Sequence, residues 1–200
     1  MSRFIESIQV EDQKLFRINL HQKRLETTFA NFGKICSMDL ATMFMEMNPH
    51  KKGLYKWRIV YDLENNFNSR LIPYVYSDLA DFQLVENDEI DYNFKSEDRK
   101  SIDSMKSKAK AAEIIIVKNK HITDSSFANL LFLKDKTWYT PSTFLLNGTQ
   151  RQHLLETKKI REAEITLQNI KSFSHFQIIN CMNTMTDDFV YSIQSIINLP

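Results

Sequence analysis

Glycine is scarce in this chain. Gly33, Gly53 and Gly148 are the only three in 200 residues. Phosphate loops of the P-loop or dinucleotide type need closely spaced glycines, so both are excluded. A phosphate site here must use another device. Cysteine is scarce as well. Cys36 and Cys181 lie far apart, with no C-x-x-C and no zinc-ligand spacing. They read as two reduced thiols of a cytoplasmic protein. The histidines (His21, His50, His121, His153, His175) are scattered singly, which argues against a bound metal. Excess charge is also missing. The net charge is +1 and no long basic block occurs, so nucleic acid has no electrostatic footprint. No apolar run approaches the length of a membrane span, and the opening MSRFIESIQVEDQ lacks the apolar stretch of a signal peptide.

What remains is an ordinary globular composition. Hydrophobic residues make up 42% and charged residues 26%, enough to bury a sizeable core. Residues 4–10 and 14–20 read as strands, joined by EDQ as a hairpin. A helix is expected from His21, with Leu25, Phe29 and Phe32 on one side and Gly33 at its end. Residues 39–47 read as a second helix capped by Asp39. Residues 54–62 and 68–77 are rich in Tyr, Trp, Val and Ile and read as strands.

The composition then shifts. Residues 86–101 are heavily charged, and the boundary between two small lobes is placed here, giving 1–90 and 91–200. A helix is expected from Ser96 to near residue 110. Strands are expected at 112–119 and 129–135, a helix at 151–160, and further strands near 161–166, 174–181 and 189–197. Strands and helices mix without a regular βαβ rhythm, so the fold class is α+β.

Several segments follow one another in a telling order. The chain reads H-x-x-R-L at His21–Leu25 and K-S-E-D-R at Lys95–Arg99. It continues with I-T-D-S-S-F-A-N-L at Ile122–Leu130, T-P at Thr140–Pro141, and L-L-N-G-T-Q-R at Leu145–Arg151. This set resembles the fold-type IV pyridoxal-phosphate enzymes, the class IV aminotransferases and lyases. That family includes branched-chain aminotransferase, D-amino-acid aminotransferase and aminodeoxychorismate lyase. The opening F-I-E-S-I-Q-V also resembles the family's first strand.

The resemblance implies two lobes with a pyridoxal 5'-phosphate cleft between them, and a homodimer. It makes Lys95, expected in the C-terminal lobe, the amine that holds the cofactor and shuttles a proton at the substrate α-carbon. Without it, Lys95 reads as a solvated surface lysine. Asp124 stands where the family has a glutamate for the pyridine nitrogen. It is one carbon shorter, about 1.5 Å less reach. Its plainer reading is a turn residue between two strands. Gly148 and Thr149 precede an expected helix, and free N–H groups with the helix dipole make that position an anion site. Its plainer reading is a helix cap.

Arg24 matches the family's phosphate-contacting arginine and shares a helix face with His21. Arg58 and Arg99 are candidates for the substrate carboxylate, which an arginine can hold bidentately. Arg99 can equally pair with nearby acids. Met43, Met45, Met47, Phe173 and Phe176 read as core or dimer contacts. The resemblance implies an aminotransferase acting on an amino acid and keto acid pair. A lyase releasing pyruvate from aminodeoxychorismate to give 4-aminobenzoate is the alternative. A non-catalytic descendant serving as a binding or dimer module is a third reading.

Overall fold

The computed structural model describes residues 2–48, 52–77 and 79–200; His50 lies outside them. The fold is α+β in two compact units, Met1–Val75 with Phe94–Asp98, and Tyr76–Asn93 with Arg99–Pro200. The sequence places one boundary at residue 90; backbone contacts divide the chain at more than one point. The chain leaves the first unit at Val75, and Phe94–Asp98 returns to it. The reason is backbone pairing: Ile5 N donates to the Lys95 carbonyl at 2.9 Å, and Glu97 N donates to the Arg3 carbonyl at 2.9 Å. Lys95 thus belongs to the first unit and not to a C-terminal lobe.

In the first unit, strand β1 (Arg3–Glu11) turns into the short β2 (Lys14–Leu15). The strand expected over 14–20 stops there, because Arg17 adopts a left-handed conformation (φ 55°) and leads into helix α1 (Ile18–Asn31). Helix α1 buries His21, Leu25, Thr28 and Phe29, a stripe at helical spacing. Helix α2 (Leu40–Met47) is capped by Asp39, whose carboxylate accepts from Thr42 N at 2.7 Å. Strands β3 (Leu54–Asp62) and β4 (Phe67–Pro73) complete an antiparallel sheet in the order β2-β1-β3-β4. Trp57, Ile59 and Tyr61 alternate inward from β3 and meet Phe4, Ile8, Leu25, Phe29 and Phe44. Burying each such side chain stabilises the unit by about 1.5–3 kcal/mol.

The second unit begins with strand β5 (Phe82–Glu86). Helix α3 (Lys100–Lys108) starts four residues later than expected, because Ser96 bridges to Phe4 in the first unit's sheet. Strands β6 (Glu113–Lys118), β7 (His121–Ser125), β8 (Asn129–Lys134) and β9 (Thr137–Pro141) follow. Then come helix α4 (Thr149–Glu156) and strands β10 (Arg161–Ala163), β11 (His175–Ile179) and β12 (Val190–Ser192). The sheet runs β10-β9-β8-β7-β6-β5, with β11 paired to β8 and β12. β5–β6 and β9–β10 are its parallel pairs. Strand β6 is buried on both faces. Ile115 and Val117 pack with Phe82, Leu130, Phe132, Phe176 and Ile178, while Ile114 and Ile116 pack with Ile90, Ile102 and Leu145. Among the described residues, no helix is long and apolar enough to cross a membrane.

Candidate functional site

The expected site residues fall into both units. Lys95, Arg24 and Arg58 lie in the first; Asp124, Arg99, Gly148 and Thr149 lie in the second.

In the first unit, Arg24 closes on a carboxylate that the sequence reading did not single out. Glu6 projects from β1 and is fully buried. Arg24 Nε donates to Glu6 Oε1 at 2.8 Å, and Arg24 NH2 donates to Oε2 at 2.6 Å. His21, one helical turn before Arg24 and equally buried, donates from Nδ1 to Glu6 Oε2 at 2.7 Å. Burial pushes the Glu6 carboxyl up, but the Arg24 charge, the Arg24 hydrogen bonds and His21 outweigh it and bring the pKa to about 2. Burial lowers the His21 pKa despite its Glu6 partner, so the imidazole is neutral and the ion pair is Glu6 with Arg24. The arginine is thereby held in one orientation with its side chain 12% exposed. Lys95 is half-buried and its backbone is pinned against β1. Glu97, two residues on, receives Arg3 Nε at 2.7 Å and Arg58 NH2 at 3.2 Å. Arg58 thus has an acidic partner from the Lys95 segment.

In the second unit, Asp124 is joined to the Leu145–Leu146 segment that leads into α4. Asp124 is 5% exposed, and it pairs in register with Asn129 across β7 and β8. Asp124 Oδ2 accepts from Leu145 N at 3.1 Å and from Leu146 N at 2.9 Å. Oδ1 accepts from Asn129 Nδ2 at 2.7 Å, and the same Nδ2 donates to the Leu146 carbonyl at 2.8 Å. A carboxylate offers about four lone-pair sites, so three donors leave room for one more. Burial is the largest influence on Asp124 and wins over these bonds, raising its pKa to about 6. The turn between the two strands is also held. Ser126 N donates to the fully buried Glu113 at 3.0 Å, and Arg99 NH2 donates to the Ser126 carbonyl at 2.8 Å. Arg99 also approaches Asp103 at 3.5 Å. Arg99 therefore has a structural task beside any role toward substrate.

Helix α4 has no side-chain cap at Gly148. Its first-turn N–H groups face out of the helix end, as in any helix. Thr149, Gln150 and Arg151 are all buried. Gln150 Oε1 is buried without a hydrogen-bond partner. Rotated about its last torsion, that carboxamide presents an N–H in the same place, a donor suited to an anion. Arg151, which the sequence reading did not assign, donates to Asn147 Oδ1 at 3.2 Å and to the Pro141 carbonyl at 3.2 Å, pairs with Glu162, and lies over the Phe144 ring at 4.3 Å. The residues present fit a ligand that carries an anionic group and a protonatable ring nitrogen.

The model of the class IV aminotransferase family matches residues 3–187. The chain belongs to that family. This class IV chain is 36% identical over 187 residues to an uncharacterized protein of Haemophilus influenzae, covering 92% of this chain and 99% of the other. Among solved structures, it is similar to one from Haemophilus somnus described as a candidate 4-amino-4-deoxychorismate lyase. The TM-score is 0.87 at 31% identity, over 92% of this chain and 98% of that one. The branched-chain amino acid aminotransferase of Escherichia coli shares the fold, with a TM-score of 0.75 at 15% identity, over 99% of this chain and 77% of that one. The class IV assignment bears out the family resemblance read from the motif order, and with it the general aminotransferase and lyase chemistry of fold-type IV enzymes.

Proposed function

We propose that this class IV chain is a pyridoxal-phosphate-dependent enzyme acting on an amino acid and keto acid pair. The observation that carries the reading is the buried Asp124, tied directly and through Asn129 to Leu145 and Leu146 in the segment that leads into α4, a helix without a side-chain cap. An acid and an anion site are the two features by which a protein grips opposite ends of a pyridine phosphate. When bound, the cofactor supplies an electron sink for bonds broken at the substrate α-carbon. In this reading Lys95 would hold the cofactor and be the base placed to move the α-proton. Asp124 would serve the ring nitrogen and hold a proton there. Arg24, the Gly148 and Thr149 backbone and the Thr149 hydroxyl hold the phosphate, and Arg58 and Arg99 orient the substrate carboxylate. The Glu6 fork supports the Arg24 role, since an arginine fixed on one edge presents its remaining donors in a set direction. A cytoplasmic homodimer is part of the proposal, and sizing of the purified protein checks the dimer.

One observation favours a second reading, the aminodeoxychorismate lyase. The chain spans 98% of the structure described as a candidate lyase, at 31% identity, but 77% of the branched-chain enzyme. The deciding experiment supplies pyridoxal phosphate and compares amino donors plus a keto acid acceptor with aminodeoxychorismate alone. Acceptor-dependent transfer supports the aminotransferase. Pyruvate release without an acceptor supports the lyase. Absence of both, together with no visible cofactor band, refutes the proposal in favour of a non-catalytic module.

A further inference from the structure

Asn129, the asparagine of the I-T-D-S-S-F-A-N-L segment, sits at the crossing of two constraints. Its Nδ2 donates to Asp124 Oδ1 at 2.7 Å and to the Leu146 carbonyl at 2.8 Å. Its Oδ1 lies where a side chain at position 148 would begin. A Cβ built on Gly148 would come within 2.0 Å of Asn129 Oδ1 and 3.2 Å of Asn129 Cγ. Gly148 itself has φ −67° and ψ 145°, which any residue adopts. Glycine at 148 is therefore required by the carboxamide and not by the backbone. A side chain there forces a shift at this contact, and an Asn129 carboxamide that gives way loses its bond to Asp124.

We infer that Asn129 is a positioning residue that sets the ionisation of Asp124, and that Gly148 acts on Asp124 only by leaving Asn129 its place. The carboxyl is desolvated, so each donor that it keeps counts heavily toward holding the charge. Two of the three donors come from the backbone at Leu145 and Leu146, and Asn129 supplies the remaining side-chain donor. Of the three, Asn129 is the donor that a change elsewhere in the unit can dislodge. The chemical value of Asp124 toward a ring nitrogen rests on the function proposed above. The inference about Asn129 does not, because it is read on the carboxyl itself.

The test is a pH titration of the Asp124 carboxyl by carbon NMR on the full-length chain with labelled aspartate, with Asp124→Asn identifying the signal. Wild type is expected to titrate near pH 6. Asn129→Ala and Gly148→Ala are each expected to raise the midpoint by about one unit, the scale of losing one hydrogen bond to a charged group. The double variant should move it no further than Asn129→Ala alone, because both changes remove the same bond. If Asn129→Ala does not fold, Asn129→Ser takes its place with the same expectation. An unshifted midpoint in a folded Asn129 variant overturns the inference, as does an additive shift in the double variant. Failure of the wild type to bind pyridoxal phosphate, with the titration pattern intact, would count against the proposed function alone.

Discussion

The guanidinium of Arg24 grips both oxygens of the buried Glu6 carboxylate, Nε to Oε1 and NH2 to Oε2, across the interface of α1 and β1. A fork of this kind fixes the arginine in plane. Removing the acid leaves a buried cation facing a neutral group. Glu6→Gln is expected to lower stability at pH 7 by about 3 kcal/mol, the scale of a carboxyl held near 2 instead of 4.5. The sign is that of a depressed acid. The contribution is full above pH 4.5 and disappears as the pH falls toward 2. The buried neutral His21 acts in the same direction: below its ordinary 6.5 the unfolded chain takes up a proton that the folded chain refuses. Urea unfolding of wild type and Glu6→Gln between pH 3 and 8 measures both. A gap between the two proteins that stays constant over that range contradicts this account.

Asp124 predicts the opposite slope. Its pKa is raised in the folded chain, from 3.8 to about 6, so the folded state binds the extra proton between those values. Stability contributed at this site is present below pH 3.8 and is lost as the pH rises through 6. Relative to Asp124→Asn, the cofactor-free wild type should lose about 3 kcal/mol across that window. Thermal unfolding of the two proteins at pH 3.8 and 7 measures the difference. A wild type that gains stability over Asp124→Asn as the pH rises would contradict the burial argument.

The turn from Ser125 to Ala128 is clamped from two sides, by Glu113 on the Ser126 N–H and by Arg99 on the Ser126 carbonyl. Glu113 also accepts from Ile114 N at 3.0 Å and pairs with Lys106. Glu113→Ala leaves two buried N–H groups without an acceptor, at a cost of about 1–3 kcal/mol each. Arg99→Ala should cost about 1–2 kcal/mol through the lost charge-assisted bond. Hydrogen exchange at the Ser126 amide should speed up in both variants. Unchanged exchange in Glu113→Ala would show that the clamp does not hold the turn.

Much of the fold is legible where one physical signal acts alone. Strand β3 alternates, and α1 carries its stripe of Leu25 and Phe29. Other elements are obscured by partners distant in sequence. Residues 14–20 alternate like a strand, yet Arg17 turns left-handed and opens a helix. Strand β7 has no hydrophobic period to read, because Thr123, Asp124 and Ser125 are polar yet buried. Glutamate is rarely buried, and Glu6 is buried because α1 brings His21 and Arg24 over it. In the site, motif order located Asp124 and Gly148, but Asn129 and Glu113 act through hydrogen bonds that spacing does not record. The position of Lys95 in the first unit follows from its pairing with Ile5, which a local charge count near residue 90 cannot reveal.

The proposed function turns on Lys95 as the residue that would hold pyridoxal phosphate covalently. The direct measurement incubates the full-length protein with the cofactor, reduces it with borohydride, and maps the modified lysine by peptide mass spectrometry. A pyridoxyl group is expected on Lys95, with the visible absorbance band lost in Lys95→Ala. A pyridoxyl group on another lysine, or a band that survives in Lys95→Ala, would contradict it.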